Sequence, residues 1–312
     1  MTESGVLNVY KEKGFTSHDV VAKLRGILKQ RRIGHTGTLD PEAEGVLPVC
    51  IGTATKLCDM LTDKKKVYRA SLVFGVATDT EDMTGEIIKR LPVTSKKEDL
   101  LLVLESFLGE SEQIPPMYSA IKVEGKKLYE LAREGKTIER KARRITIDSI
   151  KLLDVSTKED GTLLEASIEV ACQKGTYIRS LCRDIGERLD TCACMKSLLR
   201  VASGNFGSEQ AMRLAEIETA VQNGTIGQAI VSTESIFASC GMLTTETKWD
   251  KLLHNGNRLP EHTVAVEWKE TKTAEILFPK TWARAYDSAG QFCGIYEHQK
   301  DIGCYVPVKM FL

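Results

Sequence analysis

Short strand-like segments and amphipathic helices follow one another along this chain without regular alternation, and this mixture most restricts its fold. The strand-like segments are residues 67–74, 145–155 and 163–171, and the helical segments are residues 16–29, 95–108, 128–133, 177–189 and 208–221. In the first strand-like segment Tyr68, Ala70 and Leu72 alternate onto one face, as expected for a half-buried strand. Because regular βαβ repeats would need strict alternation, the pattern predicts an α+β fold.

The pattern of predicted elements changes after about residue 235. Turn signals there separate short strand-like pieces at residues 264–266, 274–278, 282–286, 293–296 and 305–308. This spacing is typical of a small all-β module. We predict a boundary near residues 232–245, which divides the chain into a first domain, residues 1–235, and a β-rich module, residues 236–312.

Composition places the chain among globular proteins, with 42% hydrophobic and 28% charged residues in 312. No apolar run approaches the ~20 residues of a membrane span, and the start lacks a basic segment followed by an apolar one. The nine cysteines are scattered and form no C-x-x-C pair, which argues for reduced thiols and against a structural zinc site. We therefore expect a cytoplasmic protein with no metal and no membrane partner.

The formal net charge is zero, which by itself does not favour a nucleic-acid ligand. Basic residues are nevertheless clustered at 29–32, at 64–66 and between 122 and 151. Such clusters are often only solvated surface, but their position beside candidate loops also fits a polyanionic partner.

The segment Gly34–Pro41 carries the strongest local chemistry, with two glycines, a histidine, two threonines and an Asp-Pro pair. A residue before proline is pushed out of the helical region, so Asp40 should be extended and its carboxylate presented from a tight loop. A carboxylate held in this way can act as a nucleophile or a base. The alternative is an aspartate that only organises a turn.

Five further side chains are candidates, and three of them have two interpretations each. His35 is either a ligand-facing group or a loop-stabilising donor, and Tyr68 is either a core tyrosine or a platform for a flat ring. Arg179 is either a surface arginine or the partner of a buried carboxylate, which it would hold in the ionised form. Tyr177 shares a face with Arg179 only if the chain is extended there. Lys122, near a Pro-Pro loop, has no role assignable from spacing.

Several segments, in this order, are similar to those of TruB-type tRNA pseudouridine synthases. The matching segments are Asn8–Lys11, Gly14–Ser17, Gly34–Pro41, Gly45–Leu47, Lys66–Tyr68, Thr78–Gly85, Pro115–Lys122, Gly125–Gly135, Gly175–Leu181 and Leu198–Phe206. One such motif would be weak evidence, but the ordered set covers nearly all of residues 5–235 and is highly specific.

This resemblance implies an α+β catalytic domain with a central mixed sheet, followed by a PUA-type RNA-binding module. It implies isomerisation of uridine to pseudouridine in the T-loop of tRNA, normally at position 55, without a cofactor, and we expect a monomer that binds the tRNA T-arm. Asp40 maps to the catalytic aspartate. By the same resemblance Arg179 would pair with it and Tyr177 would contact the base, which makes both catalytic candidates.

The remaining candidates are substrate-binding residues. The target base has to be flipped out of its stack to be reached. Tyr68 would stack on the flipped ring, His35 would help to fill the space left in the loop, Leu198 would line the pocket, and Lys122 belongs to the same substrate-binding set.

The chain departs from the family where a second arginine often follows Leu198, because Leu199 stands there, with Val201 and Ala202 beyond it. These departures weaken the expectation of phosphate contacts at this point. Two rival functions remain: a tRNA-folding factor, a role that could also accompany catalysis, and a guide-dependent synthase. The compact chain without a long basic tail favours the stand-alone bacterial form.

Overall fold

The computed structural model describes residues 4–123, 125–268 and 278–312, and their strands form two large sheets and two small hairpins. Most of the predicted strand 274–278 lies outside the described residues.

The helices and strands of the described residues are as follows, in chain order within each type. The strands are β1 (Gly5–Lys11), β2 (Ile33–His35), β3 (Glu44–Ile51), β4 (Lys66–Phe74), β5 (Val76–Thr78), β6 (Ile87–Arg90), β7 (Gly109–Gln113), β8 (Lys122–Val123), β9 (Lys126–Lys127), β10 (Arg143–Thr157), β11 (Leu163–Cys172), β12 (Ala193–Ser203), β13 (Phe206–Gly207), β14 (Ile230–Val231), β15 (Gly241–Thr245), β16 (Leu259–Pro260), β17 (Val264–Glu267), β18 (Trp282–Tyr286), β19 (Phe292–Gln299) and β20 (Cys304–Met310). The α-helices are α1 (Ser17–Ile27), α2 (Cys58–Thr62), α3 (Lys97–Glu105), α4 (Leu128–Arg133), α5 (Ile178–Arg188), α6 (Leu214–Gln222), α7 (Thr233–Ile236) and α8 (Asp250–His254).

The first sheet has the strand order β14-β1-β3-β12-β4-β11-β10-β7, with β2 paired to β3 and β13 to β12. Its pairs are antiparallel except β3 with β12, which run parallel. The sheet is therefore mixed, and the predicted α+β class is confirmed. The parallel pair matters for function because it brings the strand after the Asp40 loop beside the strand that carries Leu198.

Helices cover the sheet and close its hydrophobic cores. Leu181 and Ile185 of α5 and Leu100 of α3 pack with Leu72 and Ile168 of the sheet in one buried cluster. A second cluster joins α1 and α6 to β1 and β3. Burying these side chains stabilises the fold by roughly 1.5–3 kcal/mol each. These cores therefore hold α1 and α5 in fixed positions on the sheet.

The second sheet has the order β16-β20-β19-β18-β15-β17 and its own core, with α8 packed beside it. The module is therefore β-rich rather than all-β. It does not stand apart, since Phe237, Ile295 and Phe311 lie in one buried cluster with Val46 and Leu57 of the first part. The chain passes from one sheet to the other between β14 and β15, and the division at residue 235 stays a prediction.

The strands predicted at residues 67–74, 145–155 and 163–171 and the helix predicted at 177–189 are confirmed to within two residues at each end, whereas two predicted helix starts are wrong. Helix α4 matches its predicted range, and Thr16 caps α1 through the predicted capping box with Asp19. The cap predicted at Ser95 is wrong, because Ser95 donates a hydrogen bond to the Leu189 carbonyl and the helix begins at Lys97. The predicted helix 208–221 begins only at Leu214, after a short 3-10 turn.

Candidate functional site

The Asp40 loop runs between β2 and β3 and is fixed at several points. The Leu39 amide donates to Ser17 Oγ of α1 at 2.9 Å, and the Ala43 amide donates to the Asp40 carbonyl at 3.1 Å. Thr36 is buried and donates to the Pro48 carbonyl of β3. The Asp40 side chain itself is 41% exposed, so the loop is held from below while its carboxylate faces outward.

Arg179 supports this carboxylate from the protein side. Its Nη2 lies 3.0 Å from Asp40 Oδ2, and its side chain is only 6% exposed. The same guanidinium donates to the carbonyls of Thr80, at 3.1 Å, and Tyr118, at 2.8 Å. The interpretation of Arg179 as a carboxylate partner is thus the one the geometry favours, since a buried guanidinium is stable only when its donors are satisfied.

Two more buried cations hold the loop, and sequence reasoning assigned a role to neither. Lys11 is fully buried and donates to the carbonyls of Pro41 and Ala43 at 3.1 and 2.6 Å. Burial lowers the pKa of Lys11 to about 8, although Asp40 nearby acts in the opposite direction. Both Lys11 and the second cation, Arg200, lie in the segments that resemble the family, which was the available signal.

Arg200 lies on β12 and is 1% exposed. It donates from Nε to the Val46 carbonyl at 2.7 Å and from Nη2 to the Gly37 carbonyl at 3.2 Å. The guanidinium therefore ties β12 to both ends of the Asp40 loop. Its planar fork suits this task better than the single charge of a lysine.

A tight turn at residues 79–85 forms the neighbouring wall. The Asp82 carboxylate accepts from Thr80 Oγ1 at 2.8 Å and from the Thr84 amide at 3.0 Å, and it lies 3.9 Å from Arg179 Nε. Asp82 therefore orders the turn whose Thr80 carbonyl binds Arg179. The sequence did not predict the role of Asp82 in the site, although Thr78–Gly85 is one of the segments that resemble the family.

Tyr68 and Leu198 lie side by side on the first sheet. Arg200 is the antiparallel partner of Tyr68, and Leu198 is the partner of Ala70. Tyr68 and Leu198 are both partly buried against the core that α5 covers. Burial raises the pKa of Tyr68, so its hydroxyl keeps its proton at neutral pH. The two side chains supply a flat and an aliphatic surface, and Arg200 links that surface to the Asp40 loop.

Tyr177 has an extended backbone and lies directly before α5, which begins at Ile178, one residue after the predicted start. Its amide donates to Gln113 Oε1 at 2.8 Å, and its carbonyl accepts from Gln113 Nε2 at 3.1 Å. Burial raises the pKa of the Tyr177 hydroxyl, while the nearby Arg143 and Arg179 act in the opposite direction. Tyr177 therefore carries its own proton at neutral pH.

His35 is partly buried at the start of the loop, and its Nδ1 accepts from the Gly37 amide at 3.3 Å. Its ring meets that of His18 edge-on, with centroids 5.4 Å apart. Burial, with His18 and Arg200 nearby, lowers the pKa of His35 to about 4. His35 is therefore neutral at physiological pH, and the loop-stabilising interpretation describes its present contact.

Lys122 is separate from this group. It is exposed on β8, in the hairpin that precedes α4, and among the described residues it forms no ion pair with Asp40. The structure thus brings Asp40 together with Arg179 and joins it through Arg200 to Tyr68, whereas Lys122 lies on a surface hairpin.

Within the described residues, the three side chains that could jointly hold a metal ion are His254, Asp287 and Cys293. His254 lies on α8, Cys293 on β19 and Asp287 in the turn between β18 and β19, so none of them belongs to the Asp40 loop. Asp287 already accepts from His254 and from the amides of Ala289 and Gln291. Among all the residues that the structure describes, no helix is long and apolar enough to cross a membrane.

The arrangement around Asp40 favours covalent or acid–base chemistry on a flat ring. An outward carboxylate backed by a buried guanidinium is kept in one orientation and has no need to reorganise when substrate binds. A tyrosine face nearby offers stacking worth roughly 1–3 kcal/mol per base.

Comparison with known proteins indicates the family of this chain. A family model described as TruB family pseudouridylate synthase (N terminal domain) matches residues 25–178, and one for the tRNA pseudouridylate synthase B C-terminal domain matches residues 179–237. The chain is 54% identical to a tRNA pseudouridine synthase B of Lachnoclostridium phytofermentans, with 99% of this chain and 100% of that protein covered. It is 41% identical to one of Clostridium perfringens, with 94% of each covered.

Solved structures support the fold. A Cbf5-Nop10-Gar1 complex contains a chain similar to this one with a TM-score of 0.70 and 24% identity, covering 99% of this chain and 85% of that one. An H/ACA RNP bound to a substrate RNA contains another, with a TM-score of 0.69, 22% identity and the same coverage. From the family models and the full-length identities together, the chain belongs to the TruB family of pseudouridylate synthases.

Proposed function

We propose that this chain isomerises uridine to pseudouridine in the T-loop of tRNA, at position 55, as a stand-alone cytoplasmic enzyme. The observation that carries the proposal is the outward Asp40 carboxylate paired at 3.0 Å with the buried Arg179. The relatives named tRNA pseudouridine synthase B support tRNA as the substrate.

The reaction breaks the bond between ribose C1′ and N1 of the uracil, turns the base, and joins C1′ to C5. The proton on C5 then leaves and N1 takes up a proton, so atoms and charge balance without an oxidant or a cofactor. Asp40 can act on the ribose, on the base, or as a proton acceptor, and the pair with Arg179 orients its carboxylate in each case.

The target base has to leave its stack, at a cost of a few kcal/mol. We propose that Tyr68 stacks on the flipped uracil and returns part of this cost, with Leu198 lining the same pocket. His35 is neutral and helps to fill the space that the base vacates. We propose that Lys122, whose charge is exposed on its hairpin, contacts the phosphates of the RNA backbone.

Tyr177 contacts the base in this proposal. Because its raised pKa keeps the hydroxyl protonated, Tyr177 donates a hydrogen bond to the uracil, and it can take the C5 proton only after passing its own proton on. We further propose that the chain is a monomer and that residues 236–312 form a PUA-like RNA-binding module.

The test is pseudouridine mapping on an unmodified tRNA transcript incubated with the purified protein. Wild type should convert the T-loop uridine, whereas Asp40→Asn should convert none and still bind tRNA. Asp154→Asn, an exposed aspartate on β10, is the matched control and should keep full activity.

Two results would redirect the proposal. Wild type that binds tRNA and modifies nothing would favour a guide-dependent enzyme or a folding factor, and added guide RNA with protein partners would separate these two. Faster tRNA refolding with both wild type and Asp40→Asn would support an accompanying folding role.

A further inference from the structure

Helix α5 carries two arginines one turn apart, and both reach the same two loops. Arg179 donates to the Thr80 carbonyl, in the turn at residues 79–85, and to the Tyr118 carbonyl, in the Pro-Pro loop. Arg183 is the second: its Nη1 pairs with the Glu81 carboxylate, and its Nη2 donates to the Ile114 carbonyl at 3.1 Å. Residues four apart lie on one helix face, so both guanidiniums lie on the side of α5 that contacts the two loops.

The contacts of Glu81 are buried and specific. Its side chain is 11% exposed, and besides Arg183 its carboxylate accepts from Ser180 Oγ at 2.7 Å. Its backbone is held as well, because the Met195 amide of β12 donates to the Glu81 carbonyl at 3.1 Å. Three contacts, two from α5 and one from β12, thus fix the residue that follows Thr80.

Glu81 is also strained. Its φ of 64° lies in the left-handed region, which a residue with a Cβ enters at a cost of about 1–3 kcal/mol. Such a conformation persists only where the surroundings hold it, and strain of this kind gathers at functional sites. Here the peptide next to the strained residue supplies the carbonyl that binds the Arg179 guanidinium.

We infer that Glu81 and Arg183 are positioning residues for the proposed isomerisation: they hold the Thr80 and Tyr118 carbonyls where Arg179 needs them, and so set the direction of the Arg179–Asp40 pair. Neither Glu81 nor Arg183 touches Asp40 in the structure. The inference rests on the proposed function, since it concerns the efficiency of the same site.

Substitution of Glu81 tests whether it positions the two loops, and it does not leave the charge of Arg183 unpaired. Arg183 also lies 2.6 Å from Asp184 and 3.8 Å from Glu187, so its charge stays compensated in Glu81→Gln. Glu187→Gln is the matched control, because it removes a carboxylate from the same arginine without loosening either loop.

The experiment measures kcat and KM on a T-arm transcript for wild type, Glu81→Gln, Arg183→Met, Arg183→Lys and the control. We expect kcat to fall ~10-fold in Glu81→Gln and Arg183→Met with KM within about twofold, because misplacing a catalytic pair costs rate rather than binding. Arg183→Lys keeps a charge beside Glu81 but loses the hydrogen bond from the guanidinium to the Ile114 carbonyl. Its kcat should therefore lie between the values of wild type and Arg183→Met. Glu187→Gln should match wild type.

The double variant Glu81→Gln/Arg183→Met should be no worse than ~10-fold below wild type, since both changes break one unit. Wild-type kcat in both single variants would overturn the inference, and so would a rise in KM equal to the fall in kcat. Should Arg183→Met not fold, Glu81→Gln and Arg183→Lys carry the same comparison. An inactive wild type would instead count against the proposed function.

Discussion

Gly45 occupies the tightest backbone contact near the site, and replacing it with alanine tests how the Asp40 loop is anchored. It lies on β3 directly beside Arg200 of the parallel strand β12. A Cβ added there would lie 2.2 Å from the Arg200 carbonyl oxygen and 2.9 Å from the Arg200 amide nitrogen. A comfortable carbon-to-oxygen contact is about 3.3 Å, so the strands would have to separate by about 1 Å.

The expected loss of stability has two parts. Gly45 has a φ of 108°, which a residue with a Cβ rarely adopts, at a cost of about 1–3 kcal/mol. Separating two packed strands adds about 1–3 kcal/mol of overpacking. The sum of about 2–6 kcal/mol is a large share of the 5–15 kcal/mol that typically stabilises a protein.

The matched control is Gly14→Ala. Gly14 also has a positive φ, 87°, but a Cβ there would meet no atom within 4 Å. Gly14→Ala therefore reports the backbone cost alone, and the difference between the variants reports the collision with β12.

Thermal and urea unfolding of both variants would measure this difference, with activity followed on the folded protein. We expect Gly45→Ala to unfold several degrees below Gly14→Ala and to lose activity even where it is folded, because Arg200 moves away from Gly37. Equal losses of stability in the two variants would refute the argument that the β3–β12 approach requires glycine.

Three further outcomes follow from the structure. Between pH 6.5 and 4, wild type should lose up to about 3 kcal/mol more free energy of unfolding than His35→Gln. The lowered pKa of His35 favours the native state above pH 6.5, and this contribution is lost as the pH falls through about 4. Urea unfolding at a series of pH values would measure the difference. Tyr68→Ala should lose activity by ~10-fold or more while Tyr68→Phe keeps most of its stacking, which single-turnover rates would separate. Phe237→Ala should destabilise the chain by about 3–5 kcal/mol, measured by urea unfolding, because its ring is fully buried between the two sheets.

The parts of the fold that the sequence predicted are those whose signals are local. Helix α4 lies between two glycines, and α1 begins with a complete capping box, so a few neighbouring residues determine each end. Strand β4 has one buried face, and its alternation is visible in the sequence.

The missed strands lack such a signal because their residues are buried or paired on both sides. Strand β3 is almost entirely buried, so it reads as a continuous apolar run without alternation. Strand β12 lies between β3 and β4, and it carries exposed Lys196 and Ser197 beside the buried Arg200. No spacing rule distinguishes such a strand from a loop, because its pairing partners lie far away in the chain.

The same limit applies to the candidate site. Asp40 stood out because proline and glycines shape its loop locally, and Arg179 because it lies in the segment Gly175–Leu181, which resembles the family. The pair itself joins residues 139 positions apart. The roles of Lys11 and Arg200 depend on burial beneath that loop, which no local pattern reports. The three buried cations together keep the exposed Asp40 carboxylate in a single orientation. A glycine-containing loop holds one conformation only if its carbonyls accept hydrogen bonds from the protein interior. Lys11 and Arg200 satisfy those carbonyls, so Arg179 is left to bind the carboxylate itself.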